Sequence, residues 1–145
     1  MRAIIFDLDH TIFETDNTLH EGTVELLSIL KRLGIVIGGI SNNDHRTLVR
    51  LNEAGVSRHF VKILCSDQAL EPKSVDGIRH LLTLLGAEPH ETILVSRAHA
   101  DILLAKEAGL ASSIGLNDEE ASAPLEDAGA DYIISDIPAV LDVLE

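Results

Sequence analysis

Short all-apolar runs alternate along the chain with longer segments in which apolar residues recur every three or four positions. Ala3 to Phe6, Ile35 to Ile40, Phe60 to Leu64, Thr92 to Val95, Ala111 to Gly115 and Tyr132 to Ile134 read as strands. Runs without polar alternation suit strands covered on both faces, as in a parallel sheet. Glu21 to Leu33 carries Val24, Leu27, Leu30 and Leu33 at helical spacing, and Gly34 supplies the stop. Asp44 to Ala54, Ser74 to Leu85 and Ala100 to Ala108 read as helices ended by Gly55, Gly86 and Gly109, and Pro138 to Leu144 as a last short helix. The alternation predicts an α/β fold: a doubly wound, Rossmann-like parallel sheet in three α/β/α layers. No internal repeat, low-complexity segment or linker interrupts residues 1–145, so one domain is expected.

Composition narrows the function. Aromatic residues are 3% and Trp is absent, so the core must come from Leu, Ile, Val and Ala. The formal net charge of −13 argues against a nucleic-acid partner, which would call for a basic patch. The acid is spread out, with a local excess at Asn117-Asp118-Glu119-Glu120 that reads as solvated surface. Cys65 is the only cysteine, sits in an apolar run and reads as a core residue; no intramolecular disulfide is possible. No apolar run reaches membrane-spanning length, and MRAIIFDLD lacks a signal-peptide pattern, so no membrane partner and a cytoplasmic location are expected.

Ligands of doubly wound folds bind beyond the carboxyl ends of the strands. Asp7, Asp9, His10 and Thr11 follow the first strand, and Ser41, Asn42 and Asn43 the second. Ser66, Asp67 and then Lys73 follow the third, and Ser96, Arg97 and Asp101 the fourth. Asp7 and Asp9 are two apart, so in an extended segment both carboxylates point to one side. Such a pair needs a cation between the charges or a proton on one of them. A hard cation such as Mg²⁺ fits the first case; a nucleophile beside an acid/base fits the second.

FDLDHTIF at 6–13 resembles the first motif of the haloacid dehalogenase superfamily, Asp-x-Asp-x-Thr after an apolar strand. ISNND at 40–44 resembles the second motif, and EPKS at 71–74 offers Lys73 near the lysine of the third. ILVSRAHADILLAKEAGL at 93–110 resembles the fourth motif and its helix, and GADYIISDIPAVLDVL resembles the family's usual ending. The resemblance implies a phosphoric monoester hydrolase. Asp7 would attack phosphorus to form an aspartyl-phosphate, and Asp9 would protonate the leaving group and then activate water. Mg²⁺ would be held by Asp7, the Asp9 backbone carbonyl and Asp101. Ser41, Asn42 and Lys73 would bind phosphate, with Thr11 positioning the first loop among them. A metal and a lysine would offset the repulsion between the attacking carboxylate and the phosphate.

Two departures stand out. The fourth motif usually reads Gly-Asp-x-x-x-Asp, but here Arg97 occupies the first acid position. That deletes a metal ligand and adds a permanent cation. Like unit charges about 4 Å apart repel by roughly 4 kcal/mol at an intermediate dielectric. Arg97 can point to solvent over a weakened metal site, anchor phosphate in the metal's place, or pair with Asp7, Asp9 or Asp101 and lock the site. The third motif is shifted too: Pro72 precedes Lys73, and Lys62 is a second candidate. The span between Asp7 and Ser41 is too short for a cap domain, so the expected partner is a phosphorylated small molecule or macromolecule meeting an open site. A homo-oligomer that covers the opening is one way to exclude water.

Plainer readings stand beside these. Ser41-Asn42-Asn43 alone is also a turn with a helix cap, Lys73 a surface lysine, and Asp101 a helix-start residue. The seven histidines show no metal spacing. A fold that kept phosphate binding or a protein contact but lost turnover is the rival to the hydrolase. A receiver domain would use Asp67 after the third strand, but its adjacent acid pair after strand one is missing.

Overall fold

A computed structural model of the chain describes residues 1–14, 18–66, 70–117 and 122–144, with the backbone alone described for His10 and residues 122–124. Six parallel strands form one sheet in the order β3-β2-β1-β4-β5-β6. They are β1 Ala3–Asp7, β2 Val36–Ile40, β3 Lys62–Leu64, β4 Thr92–Ser96, β5 Ser112–Leu116 and β6 Tyr132–Ile134. The helices are α1 Thr23–Arg32, α2 Arg46–Glu53, α3 Val75–Leu85, α4 His99–Glu107, α5 Ser122–Asp127 and α6 Val140–Val143.

Side chains of β1 alternate between two cores. Ile4 and Phe6 pack with Leu26, Leu27 and Leu30 of α1, Leu51 of α2 and Val140 of α6. Ala3 and Ile5 pack with Ile78, Leu81, Leu82 and Leu85 of α3 and Leu104 and Ala105 of α4. A sheet covered on both faces is why the strands read as unbroken apolar runs. Cys65 is buried, as its setting implies.

The expected stripe on the first helix is corrected. Thr23, Leu26, Leu27 and Leu30 face the core, whereas Val24 and Leu33 are 40% and 63% exposed. Steps of three residues drift around a helix with 3.6 residues per turn, so a run at 24, 27, 30 and 33 cannot stay on one face. Helix α5 was not foreseen; it is short and contains Pro124. The C-terminal helix begins as a 3₁₀ turn, Ile137–Ala139, before α6. Asp67 and the acidic residues 118–120 lie outside the described residues. No described helix is long and apolar enough to cross a membrane.

Between β1 and β2 the described chain holds a turn, the antiparallel bridge Phe13–Leu19 and α1, so no cap domain is inserted there. Two close approaches then shape the edge of the sheet. Gly39 in β2 leaves room for the buried Leu8 side chain just after β1. Gly77 in the first turn of α3 lies against the carbonyl oxygens of Glu71 and Pro72. The missing side chain at Gly77 lets the segment that leads to Lys73 approach the start of α3 closely.

Gly77→Ala tests this packing, because helix propensity and sterics oppose each other there. Propensity alone favours alanine by about 1 kcal/mol. A methyl group driven into two backbone carbonyls should reverse the sign, with a net loss of roughly 1–3 kcal/mol. Urea unfolding should show a lower midpoint at unchanged slope. An unchanged or higher midpoint would mean that the loop moves away at little cost.

Candidate active site

The sheet order reverses between β1 and β4, which leaves a crevice beyond their carboxyl ends. The register pairs Phe6 with Val95 and Asp7 with Ile40. Asp7 therefore ends its strand beside Ser96, and Ser41 emerges on its other side.

After Asp7 the chain does not stay extended; Leu8–Ile12 forms a single π-helical turn. The reason given above for Asp7 and Asp9 sharing one side is thus corrected: the wide turn places them, not the alternation of a strand. Asp7 is 2% exposed. Its Oδ2 accepts hydrogen bonds from Thr11 Oγ1 at 2.8 Å and Ser96 Oγ at 3.3 Å. Its Oδ1 lies 2.9 Å from Lys73 Nζ, a close ion pair that engages this buried oxygen. Burial pushes the Asp7 pKa up to about 6, with Lys73 pulling it down and Asp101 adding to the rise.

Lys73 also donates to Asp101 Oδ2 at 3.0 Å. Burial disfavours its charge, but the two carboxylates more than offset this and its pKa is raised. Ser96 Oγ has one proton, which goes chiefly to the same Asp101 oxygen at 2.8 Å, with Asp7 Oδ2 the more distant acceptor, and it accepts from the amide of Ala98 at 3.0 Å. The loop absorbs the one-residue shift in the third motif, and Lys62 is exposed on β3.

Asp9 is held by the second motif. Ser41 Oγ donates to Asp9 Oδ2 at 2.6 Å, and Asn43 Nδ2 to Oδ1 at 2.9 Å. Ser41 is fully buried and also accepts from the Asn43 amide at 3.0 Å. Thr11 is fully buried, donating to Asp7 and accepting from the Arg97 amide at 3.1 Å. Thr11 and Ser41, expected at the phosphate, both hold the aspartates here. The cleft itself, about 550 Å³, is lined by Asp7, Asp9, Asn42, Asn43, Lys73, Arg97 and Ala98. Arg97 is half-buried at its wall. His20 has a lowered pKa, from burial first, and the Arg97 charge adds to the effect against the opposing Glu14.

The structure brings Asp7, Asp9, Asn42, Lys73 and Arg97 to one cleft, with Asp101 behind Lys73. Asn43 and Ser96 were not singled out as site residues. Asn43 stood next to Asn42 at the same strand end, and Ser96 fills the small-residue position of the fourth motif. Those positions were the available signals.

Mg²⁺ asks for an octahedral set of oxygens. Asp101 Oδ2 is taken by Lys73 and Ser96, and Asp7 Oδ1 already faces the Lys73 ammonium. Position 97 contributes a guanidinium instead of a carboxylate. Among the described residues no group of three or more His, Cys, Asp or Glu is placed to hold a metal ion. As they stand, these donors do not fit a resident Mg²⁺.

Comparison with known proteins adds a family. The sequence profile described as haloacid dehalogenase-like hydrolase matches residues 17–114, which leaves Asp7 and Asp9 outside the match. The chain is 29% identical to the phosphoglycolate phosphatase of Chromobacterium violaceum over 140 residues, 94% of this chain and 59% of that protein. It is 26% identical to the pyrophosphatase PpaX of Oceanobacillus iheyensis, over 99% of this chain and 69% of that protein. Among solved structures, a haloacid dehalogenase-like hydrolase of Streptococcus pneumoniae superposes with a TM-score of 0.86 at 16% identity, covering 100% of this chain and 99% of that one. A subfamily IA hydrolase of Geobacter sulfurreducens gives 0.82 at 15% identity, with 99% of each chain covered. These likenesses establish the fold; the chain spans little more than half the length of the first curated relative.

The Asp7 environment makes a stability prediction. The folded chain keeps the Asp7 proton up to about pH 6, whereas the unfolded chain releases it near 3.8. Protons are therefore bound preferentially by the folded state in that window, and stability falls as pH rises through it. A shift of two units corresponds to about 3 kcal/mol. Asp7→Asn should be more stable than the native chain at pH 7.5, with the difference shrinking towards pH 4. Thermal melts at both pH values check this; equal melting temperatures at pH 7.5 would contradict it.

Proposed function

Because the chain belongs to the haloacid dehalogenase-like hydrolase family, we propose that it is a phosphoric monoester hydrolase acting through Asp7. One observation supports this most. The two Asp7 oxygens are differentiated: Oδ2 is held by the Thr11 hydroxyl, with Ser96 farther off, while Oδ1 is buried and engaged by the Lys73 ammonium at 2.9 Å. That is how a nucleophilic oxygen is aimed.

The phosphoryl group of a monoester enters the cleft with Lys73, Asn42 and Asn43 around its oxygens. Asp7 Oδ1 forms a bond to phosphorus as the ester P–O bond breaks. The departing alkoxide takes the proton of Asp9, which Ser41 and Asn43 orient. A water then attacks the aspartyl-phosphate and gives its proton to Asp9. The bond from phosphorus to Asp7 breaks, and inorganic phosphate leaves. Lys73 offsets the charge that builds up as two anions meet. No step is routed through a metal, since the donor set does not fit one.

Relatives named as phosphoglycolate phosphatases and as a pyrophosphatase make a small phosphorylated molecule the first substrate class to try. The open cleft admits a macromolecular phosphate equally well. A second reading, a phosphate-binding domain without turnover, is favoured by one observation: Arg97 in place of an acid.

Hydrolysis of an aryl phosphate, phosphoglycolate and pyrophosphate by the native chain, Asp7→Asn and Asp9→Asn separates the readings. Asp7→Asn should lose turnover by at least about a thousandfold. Asp9→Asn should lose about a hundredfold or more, most severely for the poorer leaving groups. Because Asp7 must be ionised to attack, kcat/KM should fall about tenfold per pH unit below about 6, once the substrate's own ionisation is taken into account. Phosphate binding without turnover of any substrate would favour the second reading.

A further inference from the structure

The electrostatics of the cleft carry one step more, which rests on the phosphohydrolase reading of the same site. We propose that Arg97 does the electrostatic work of a divalent cation, so that phosphate is bound between Lys73 and Arg97 without a metal.

An aspartate with a bound divalent cation contributes one net positive charge. An arginine at the same position contributes the same. The substitution therefore leaves the net charge facing an incoming phosphate unchanged, whereas losing the acid alone would not. Asp7, Asp9 and Arg97 line the cleft together with Lys73, and Asp101 stands directly behind Lys73. With both cations in place the three carboxylates are offset to a net charge of −1. If Arg97 were lost, the three carboxylates would face a phosphate dianion with only one ammonium between them.

Geometry agrees with charge. Lys73 is shared by two carboxylates, 2.9 Å from Asp7 and 3.0 Å from Asp101. Arg97 adds a second cation to the wall of the same cleft. The Arg97 amide is tied to Thr11 Oγ1, which is itself bonded to Asp7. This fixes the start of the arginine side chain relative to the nucleophile. A guanidinium takes phosphate oxygens in pairs, which gives orientation as well as charge. Asn42 and Asn43 line the same cleft and can orient the remaining oxygens.

Calorimetric titration of the full chain with inorganic phosphate, in EDTA and in MgCl₂, tests the proposal. The native chain should bind phosphate in EDTA, and Mg²⁺ should change the affinity by less than about threefold. Mg²⁺ alone should give no saturable heat. Arg97→Asp should lose phosphate affinity in EDTA by at least about tenfold, bind Mg²⁺, and recover phosphate affinity when Mg²⁺ is present. Arg97→Gln should lose phosphate affinity without gaining Mg²⁺ binding. Melting curves for each variant confirm folding. Phosphate binding by the native chain only with Mg²⁺, or phosphate binding by Arg97→Gln equal to native in EDTA, would overturn the proposal. Failure of the hydrolase reading is distinguishable: phosphate bound in EDTA with no monoester turned over removes the hydrolase and keeps the arginine's role. Turnover that demands Mg²⁺ does the reverse.

Discussion

The site depends on one partly buried ammonium. Lys73 stands between two carboxylates that are almost fully removed from water, Asp7 and Asp101. Without it, two like charges would face each other in a medium that screens poorly, and one would have to take a proton. The position of the lysine is set from far along the chain. The loop that carries it packs closely against Gly77, and the helix that follows is capped by Ser74, whose hydroxyl accepts from the Gly77 amide. The end of β1 and the start of α4 thus meet on the nitrogen of a lysine that stands just before α3.

Around that ion pair, each aspartate is held by hydroxyls rather than left to find its own rotamer. Thr11 and Ser96 hold one oxygen of Asp7; Ser41 and Asn43 hold Asp9. The raised pKa of Asp7 follows from burial. It destabilises the fold near neutral pH but makes the carboxylate more basic, which is the trade expected of a nucleophile. The fold supplies this placement cheaply in sequence terms, because a reversal of strand order creates the crevice wherever the sheet is wound in this order.

Most of the architecture was legible because a sheet buried on both faces leaves unbroken apolar runs, and all of the expected strands are present. What was not legible had local causes. The register of α1 was misjudged because spacing of three mimics, over one turn, the spacing of a true stripe. Helix α5 is too short to announce itself. The chemistry was legible as residue types at strand ends, but their division of labour was not. The bonds of Ser41 and Thr11 to the two aspartates were not legible, because a hydroxyl carries no sign of what it will face. The π-helical turn after Asp7 decides that Asp9 faces Ser41, and a turn of that kind has no distinct sequence pattern. Arg97 is the opposite case, visible as a departure from the motif at once, with a consequence that only the neighbouring charges define.

The central claim is that Asp7 becomes phosphorylated. The most direct measurement is peptide mass mapping after rapid acid quench of the chain turning over an aryl phosphate. A phosphoryl group on the peptide containing Asp7, absent from Asp7→Asn, is the predicted result. Phosphate release with no adduct on that peptide, or with an adduct on another residue, would contradict the account.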